Sequence, residues 1–166
     1  GWTDRSCSKL HNIINENNIP VATSFRRQDL FDHKNENFAG SFCTSVSSNL
    51  IDSTKNSDLI IVLGARLGEM TTQGYSIISP QDISKNIMHI HVDPNELNKV
   101  FNANVCINVG VNECCDKLED LTLENSNRWR EWRNEFNKNY LEDYKTQKNR
   151  IKNRSSIIER VVQWEK

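Results

Sequence analysis

Between residues 4 and 17 the apolar positions Cys7, Leu10, Ile13 and Ile14 recur every three or four residues behind Thr3, and this spacing predicts an amphipathic helix with Thr3 as its N-cap. A polar "NENN" ends it, and "IPVATS" predicts a short strand. Val46, Leu50 and Ile51 on one face predict a second helix over 45–55. That helix leads into "DLIIVLG", whose unbroken run Leu59–Leu63 suits a strand covered on both faces. "NIMHIHVDP" predicts a third strand and ends at Asp93-Pro94-Asn95-Glu96, where an Asp cap, a proline and a glutamate predict a short helix through Leu97 and Val100. "VCINVG" reads as a fourth strand, after which Asn112 is expected to cap a helix presenting Cys114 or Cys115, Leu118 and Leu121.

Alternating helices and strands, with connections long enough for crossovers, predict a parallel sheet flanked by helices on both faces. Such sheets bind ligands at the carboxyl ends of their strands. The stretch from Gly64 to Tyr75 therefore forms the candidate site, a strand-end loop in which small residues let a ligand approach the backbone. The purely structural reading stays open, with Gly64 permitting a turn and Arg66 pairing with a nearby acid.

Past Leu123 the pattern changes. Trp129, Trp132, Phe136, Tyr140 and Tyr144 recur at helical spacing among charged residues, which predicts a long helix with one aromatic stripe. The regular spacing marks a packing seam rather than a base-stacking surface. A polar stretch over 145–154 is expected to separate it from another amphipathic helix in "SSIIERVVQWEK", carrying Ile157, Ile158, Val161, Val162 and Trp164, and the lack of a cap there suggests an excised piece.

Charge supports the same division. Residues 1–125 hold 10 Lys/Arg against 16 Asp/Glu, net −6, whereas 126–166 hold 11 against 6, net +5. With 166 residues, 36% hydrophobic and a net charge of −1, the chain is long enough for one core, and nucleic acid and anionic membranes are not expected as partners. No apolar run approaches the roughly 20 residues of a membrane span, and no signal-peptide layout is present, so a cytoplasmic location is expected. Five cysteines without a CxxC pair favour idle thiols over a disulfide framework or zinc. His89 and His91 share a strand face but lack a third ligand, so no metal site is assigned. "FRRQDLFDH" offers Arg26 or Arg27 to a phosphate or carboxylate, or is a solvated loop. The common phosphate-loop, nucleophile-elbow, zinc-helix and GxGxxG signatures are missing, and no catalytic residue is assigned.

The order of "IPVATSFRRQDLF", "FAG" at Phe38–Gly40, "SDLIIVLGARLGEMTTQGY", "IMHIHVDPNELNKVF" and "VCINVG" resembles the central domain of thiamine-diphosphate-dependent enzymes of the acetolactate synthase type. The resemblance implies an α/β fold with a six-stranded parallel sheet flanked by helices, Rossmann-like and of the NAD/FAD-binding, DHS-like type, followed by a C-terminal helical extension. It implies domain limits of 1–122 for the central domain, truncated at its start, 123–154 for a helical linker, and 155–166 for the opening of a diphosphate-binding domain. It implies a parent transferase or lyase that decarboxylates a 2-oxo acid such as pyruvate and passes the carbanion to a second carbonyl. Thiamine diphosphate and Mg2+ would be held by neighbouring pyrimidine- and diphosphate-binding domains, leaving this chain alone inactive, and a homo-oligomer is expected. Some members bind FAD or an ADP-like nucleotide in this domain, and Gly64, Ala65 and Arg66 match their cofactor-binding loop. Gly68, Met70, Phe42-Cys43 and His91 depart from the FAD-binding pattern and weaken that case. A stand-alone FAD or adenine-nucleotide module of an unrelated doubly wound protein is the alternative.

Overall fold

The protein is described from a computed structural model that covers residues 1–80 and 86–164, with side chains described as far as residue 152. Helix α1, Asp4–Asn17, starts as expected: the Thr3 hydroxyl accepts the Ser6 amide. It stops at Asn18, whose left-handed backbone (φ 53°) returns its N–H to the Ile14 carbonyl. Strand β1, Val21–Thr23, then pairs in parallel with β2, Phe38–Ser41. Helix α2, Ser48–Lys55, capped by the Ser47 hydroxyl, crosses to β3, Leu59–Leu63. Strands β3, β4 (Asn86–His91) and β5 (Val105–Asn108) form a second parallel sheet in that order. Helix α3 is a single turn, Glu69–Thr72, α4 spans Val111–Leu118, and α5 runs from Arg130 to Trp164.

Two of the sequence expectations about the sheet need correction. Among the described residues there are five strands in two sheets, of two and three strands, instead of one six-stranded sheet, because no described strand bridges β1 and β3. Strand β3 is also not covered on both faces: Leu59 and Ile61 are each 49% exposed, while Ile60 and Val62 on the opposite face pack on the second core. Strand β2 carries no β-branched run, and its glycine at φ 129° lowers its β-propensity further.

The connections depart in three further places. The expected helix through Leu97 and Val100 is only a 3-10 turn, Pro94–Glu96. Asn98 adopts φ 55° and takes the Ala103 amide on its side chain, which diverts the chain before a second turn forms. Gly110, not Asn112, caps α4, because the Asn112 amide group is spent on Thr3 N–H and the Gly1 carbonyl. Helix α5 continues through 145–154, where no glycine or proline interrupts a run rich in Lys and Arg. Residues 165–166, and the side chains of Ile157, Ile158, Val161, Val162 and Trp164, lie outside the described set.

Packing explains how these pieces hold together. On one side of the first sheet, Ile14 of α1 meets Phe31 and Phe38, with Leu10, Ile19, Val21 and Tyr140 around them. On the other, Leu50 of α2 and Phe136 of α5 close over Ala39. The neighbouring Ile51 of α2 reaches the core of the second sheet, made of Val62, Ile77, Ile78, Ile87 and Phe101. Burying each large side chain stabilises by about 1.5–3 kcal/mol before entropy is counted, so α2, shared by both cores, is what couples the two sheets. Lys9 of α1, its stem buried, bonds Asp116 at 2.7 Å and Glu119 at 2.5 Å and so ties α1 to α4 and the turn after it. Those bonds hold the Lys9 ammonium above, and the Asp116 carboxyl below, the ordinary range.

Candidate functional site

The rim at the carboxyl ends of β3 and β4 is built around a single glycine. The N–H of Gly64 extends the ladder to the Ile90 carbonyl at 2.8 Å, and its φ of 67° then turns the chain outward. A Cβ at this position would stand 2.3 Å from Val111 Cγ1 and 3.8 Å from Trp2 Nε1. The space above Gly64 is thus filled by the first residue of α4 and by the N-terminal tryptophan.

Ala65 packs on the second core, and its carbonyl accepts the Nε2 proton of His89 at 3.0 Å. His89 is buried, and burial pushes its imidazole below the ordinary pKa, so it is neutral near pH 7. His91, on the same strand face with its ring 6.0 Å away, accepts the Asp93 N–H on Nδ1 at 3.1 Å. Asp93 in turn accepts the Asn95 amide, which holds its carboxyl below the usual range.

Arg66 is 69% exposed, and its Nε lies 3.6 Å from Glu96 Oε1, which also takes the Lys99 ammonium at 3.0 Å. Glu96 is only 13% exposed and so forms the fixed centre of this trio. Together with Leu67, Gly68, Tyr75, His89, Val100 and Phe101, these three line a cleft of about 190 Å3 that opens to solvent. Tyr75 and Phe101 form its apolar wall with ring centres 6.1 Å apart. Gln73, Gly74 and Tyr75 are all left-handed, an arrangement held by the Gln73 side-chain amide donating to the Cys43 carbonyl at 2.7 Å and by the Tyr75 N–H on Thr72 Oγ1.

Of the three residues expected to bind a cofactor, the structure brings only the Arg66 side chain into the cleft. Gly64 and Ala65 are engaged in packing and backbone bonds. Tyr75 closes the Gly64–Tyr75 stretch expected to form the site, whereas Glu96, Lys99 and Phe101 lie outside it, and the signal for two of them was legible: Glu96 and Lys99 stand three apart with opposite charge just past a strand end. Arg26 and Arg27 are exposed in their own loop, where Arg26 lies over the Phe25 ring at 5.2 Å, and they do not join the cleft. Among the described residues no three His, Cys, Asp or Glu side chains gather as a metal site, and no helix is long and apolar enough to cross a membrane.

The neutral, buried His89 makes a pH prediction. A lowered folded-state pKa means that the unfolded chain takes up a proton first, so stability is fully present above about pH 6.5 and falls as pH drops below it. His89→Gln, which keeps a donor for the Ala65 carbonyl, is expected to flatten the fall in melting temperature between pH 7.5 and 5. Equal slopes in the two proteins would assign the acid sensitivity elsewhere.

Among curated proteins no relative matches the chain. The family description "Thiamine pyrophosphate enzyme, central domain" matches residues 1–118, which takes in both sheets, the Gly64–Arg66 corner and α4. With this match extending over more than half its length, the chain belongs to the thiamine pyrophosphate enzyme central-domain family.

Proposed function

We propose that this chain is the architectural middle domain of an acetolactate synthase-like enzyme, and that it joins catalytic domains without holding a cofactor itself. Family membership makes the parent a thiamine-diphosphate enzyme. The residues present do not fit that cofactor: among the described residues no cluster of carboxylates gathers to hold the Mg2+ of a bound diphosphate. The parent's decarboxylation of a 2-oxo acid such as pyruvate, and transfer of the carbanion to a second carbonyl, are therefore assigned to groups outside this chain. Its partners in this reading are the neighbouring domains and a second copy of the enzyme.

The observation that carries the reading is the filled corner at Gly64. A diphosphate-binding turn needs free backbone N–H groups facing open space, yet the Gly64 N–H is bonded to Ile90 and Val111 occupies the approach. The one exposed guanidinium of the cleft, Arg66, already leans on Glu96.

Calorimetry of the purified chain with FAD, ADP and CoA tests this directly. The expected result is no binding at micromolar ligand, and no turnover of pyruvate when thiamine diphosphate and Mg2+ are supplied. Micromolar binding of any of the three that disappears in Arg66→Ala would replace this reading with a nucleotide site at the rim.

A further inference from the structure

Helix α5 buries one cation without giving it a full set of partners. Arg133 is 4% exposed and sits at the amino ends of the first sheet, where Asn18 leads into β1 and Glu36-Asn37 into β2. Its Nη2 donates to the Asn18 side-chain oxygen at 3.2 Å. Nη1 lies 3.0 Å from Glu36 Oε2, yet the pair is not aligned as a hydrogen bond, and Nε meets no acceptor among the described residues. The other side chains of this corner are neutral amides. Asn15 accepts from Asn35 and Asn37, Asn137 donates to the Asn35 and Phe38 carbonyls, and the Asn37 side-chain oxygen is buried with no donor among the described residues.

A guanidinium taken out of water needs a counter-charge held in good hydrogen-bond geometry. Lys9 shows how this chain otherwise meets that need: its ammonium hydrogen-bonds both Asp116 and Glu119. Arg133 has one carboxylate in reach, on a side chain 75% exposed, in contact but out of line. Glu36 also forms one wall of a cleft of about 410 Å3 along α5 that opens to solvent. Lys138 and Lys145 bring two cations to this cleft, Glu142 a second carboxylate, and Leu141, 42% exposed, an apolar patch. With Arg133 behind Glu36, three cations face two carboxylates, and one positive charge is left over.

We propose that this corner binds a small monocarboxylate, for which Glu36 is the internal stand-in. In the bound state a ligand oxygen takes the place of Glu36 Oε2 and accepts from Arg133 Nη1, while Glu36 turns out to solvent. A charge-assisted bond from a guanidinium is among the stronger hydrogen bonds available, and a single negative charge is what the corner lacks. The bond from Nη2 to Asn18 is kept throughout and holds the guanidinium in place. Lys138 attracts the acid, and a short apolar tail rests on Leu141. The site is separate from the Gly64 rim, since none of its residues line the cleft there.

Chemical rescue on the 166-residue chain tests the assignment, with sodium butyrate as the probe and butyramide, and sodium chloride at equal ionic strength, as controls. Glu36→Ala is expected to lower the melting temperature by roughly 2–4 °C. Butyrate should restore at least half of that loss, and the two controls none of it. In a 15N correlation spectrum the assigned Nε–H signal of Arg133 should move saturably with butyrate. Its midpoint should fall roughly tenfold in Glu36→Ala, where no internal carboxylate competes. Lys138→Gln, checked for folding by circular dichroism, should raise the midpoint about twofold to fivefold, since it removes one attracting charge. No saturable movement in Glu36→Ala overturns the proposal, and so does an equal response to butyramide or to chloride.

Discussion

Gly64→Ala is expected to lower the melting temperature by roughly 6–12 °C, and a second substitution, Val111→Ala, to recover about half of the loss. The left-handed backbone (φ 67°) costs a residue with a Cβ about 1–2 kcal/mol. The new methyl would also sit 2.3 Å from Val111 Cγ1, and forcing such an overlap apart costs about 1–3 kcal/mol. Together these make roughly 3 kcal/mol, and a chain of this size loses about 2–4 °C per kcal/mol. Val111→Ala removes the offending Cγ1 and leaves Val111 Cβ and Trp2 Nε1, both at 3.8 Å, as the nearest neighbours. The backbone cost remains, so rescue is partial. The double-mutant cycle should give a favourable coupling of about 1–2 kcal/mol. Additive effects would mean that α4 does not sit on the corner, and the case for a closed rim would go with it.

The corner also shows what a sequence can and cannot reveal here. That Gly64 ends a strand and turns the chain was legible from an apolar run stopping at a glycine. Its neighbour across space was not, because Val111 lies 47 positions further on and nothing local links them. The same limit applies to Arg66. Its need for an acid was foreseeable, but the choice of Glu96 over the nearer Glu69 depends on β4 lying beside β3 and on Asn98 breaking the next turn. The strands at 21, 59, 86 and 105 announced themselves through β-branched runs, whereas β2 is Phe-Ala-Gly-Ser and is held by burial of Phe38 and Ala39 instead of by propensity. Pairing was the least legible feature. Which edges meet is set by crossover handedness and by which helix face is apolar toward which sheet, and a single helix, α2, serves two sheets through adjacent residues.

The aromatic stripe leads to the second large effect. Phe136→Ala is expected to destabilise the whole chain by about 3–5 kcal/mol, the usual cost of removing a buried phenylalanine. Phe136 is 7% exposed, packs with Ala39 of β2 and Leu50 of α2, and meets Trp132 edge-on at 4.5 Å. Tyr140, one turn further, stands edge-on to Phe38 at 4.8 Å, and Trp129 donates its indole N–H to the Asn17 carbonyl. Arg133, between these turns, is buried and bonds Asn18 while pairing with the exposed Glu36 at 3.0 Å, which fixes the rotation of the helix. The first three turns of α5, down to Tyr140, are therefore packed on the core of the first sheet, and past them Leu141, Tyr144 and Ile151 are exposed. Tyr144→Ala, at 52% exposure, should change stability by less than about 0.5 kcal/mol. Urea unfolding followed by tryptophan fluorescence and by helical circular dichroism separates the two cases. Coincident transitions, both shifted by Phe136→Ala, are expected if α5 folds with the sheets. A helix signal that falls while the fluorescence transition stays in place would show α5 to be an independent arm and would remove β2's covering edge.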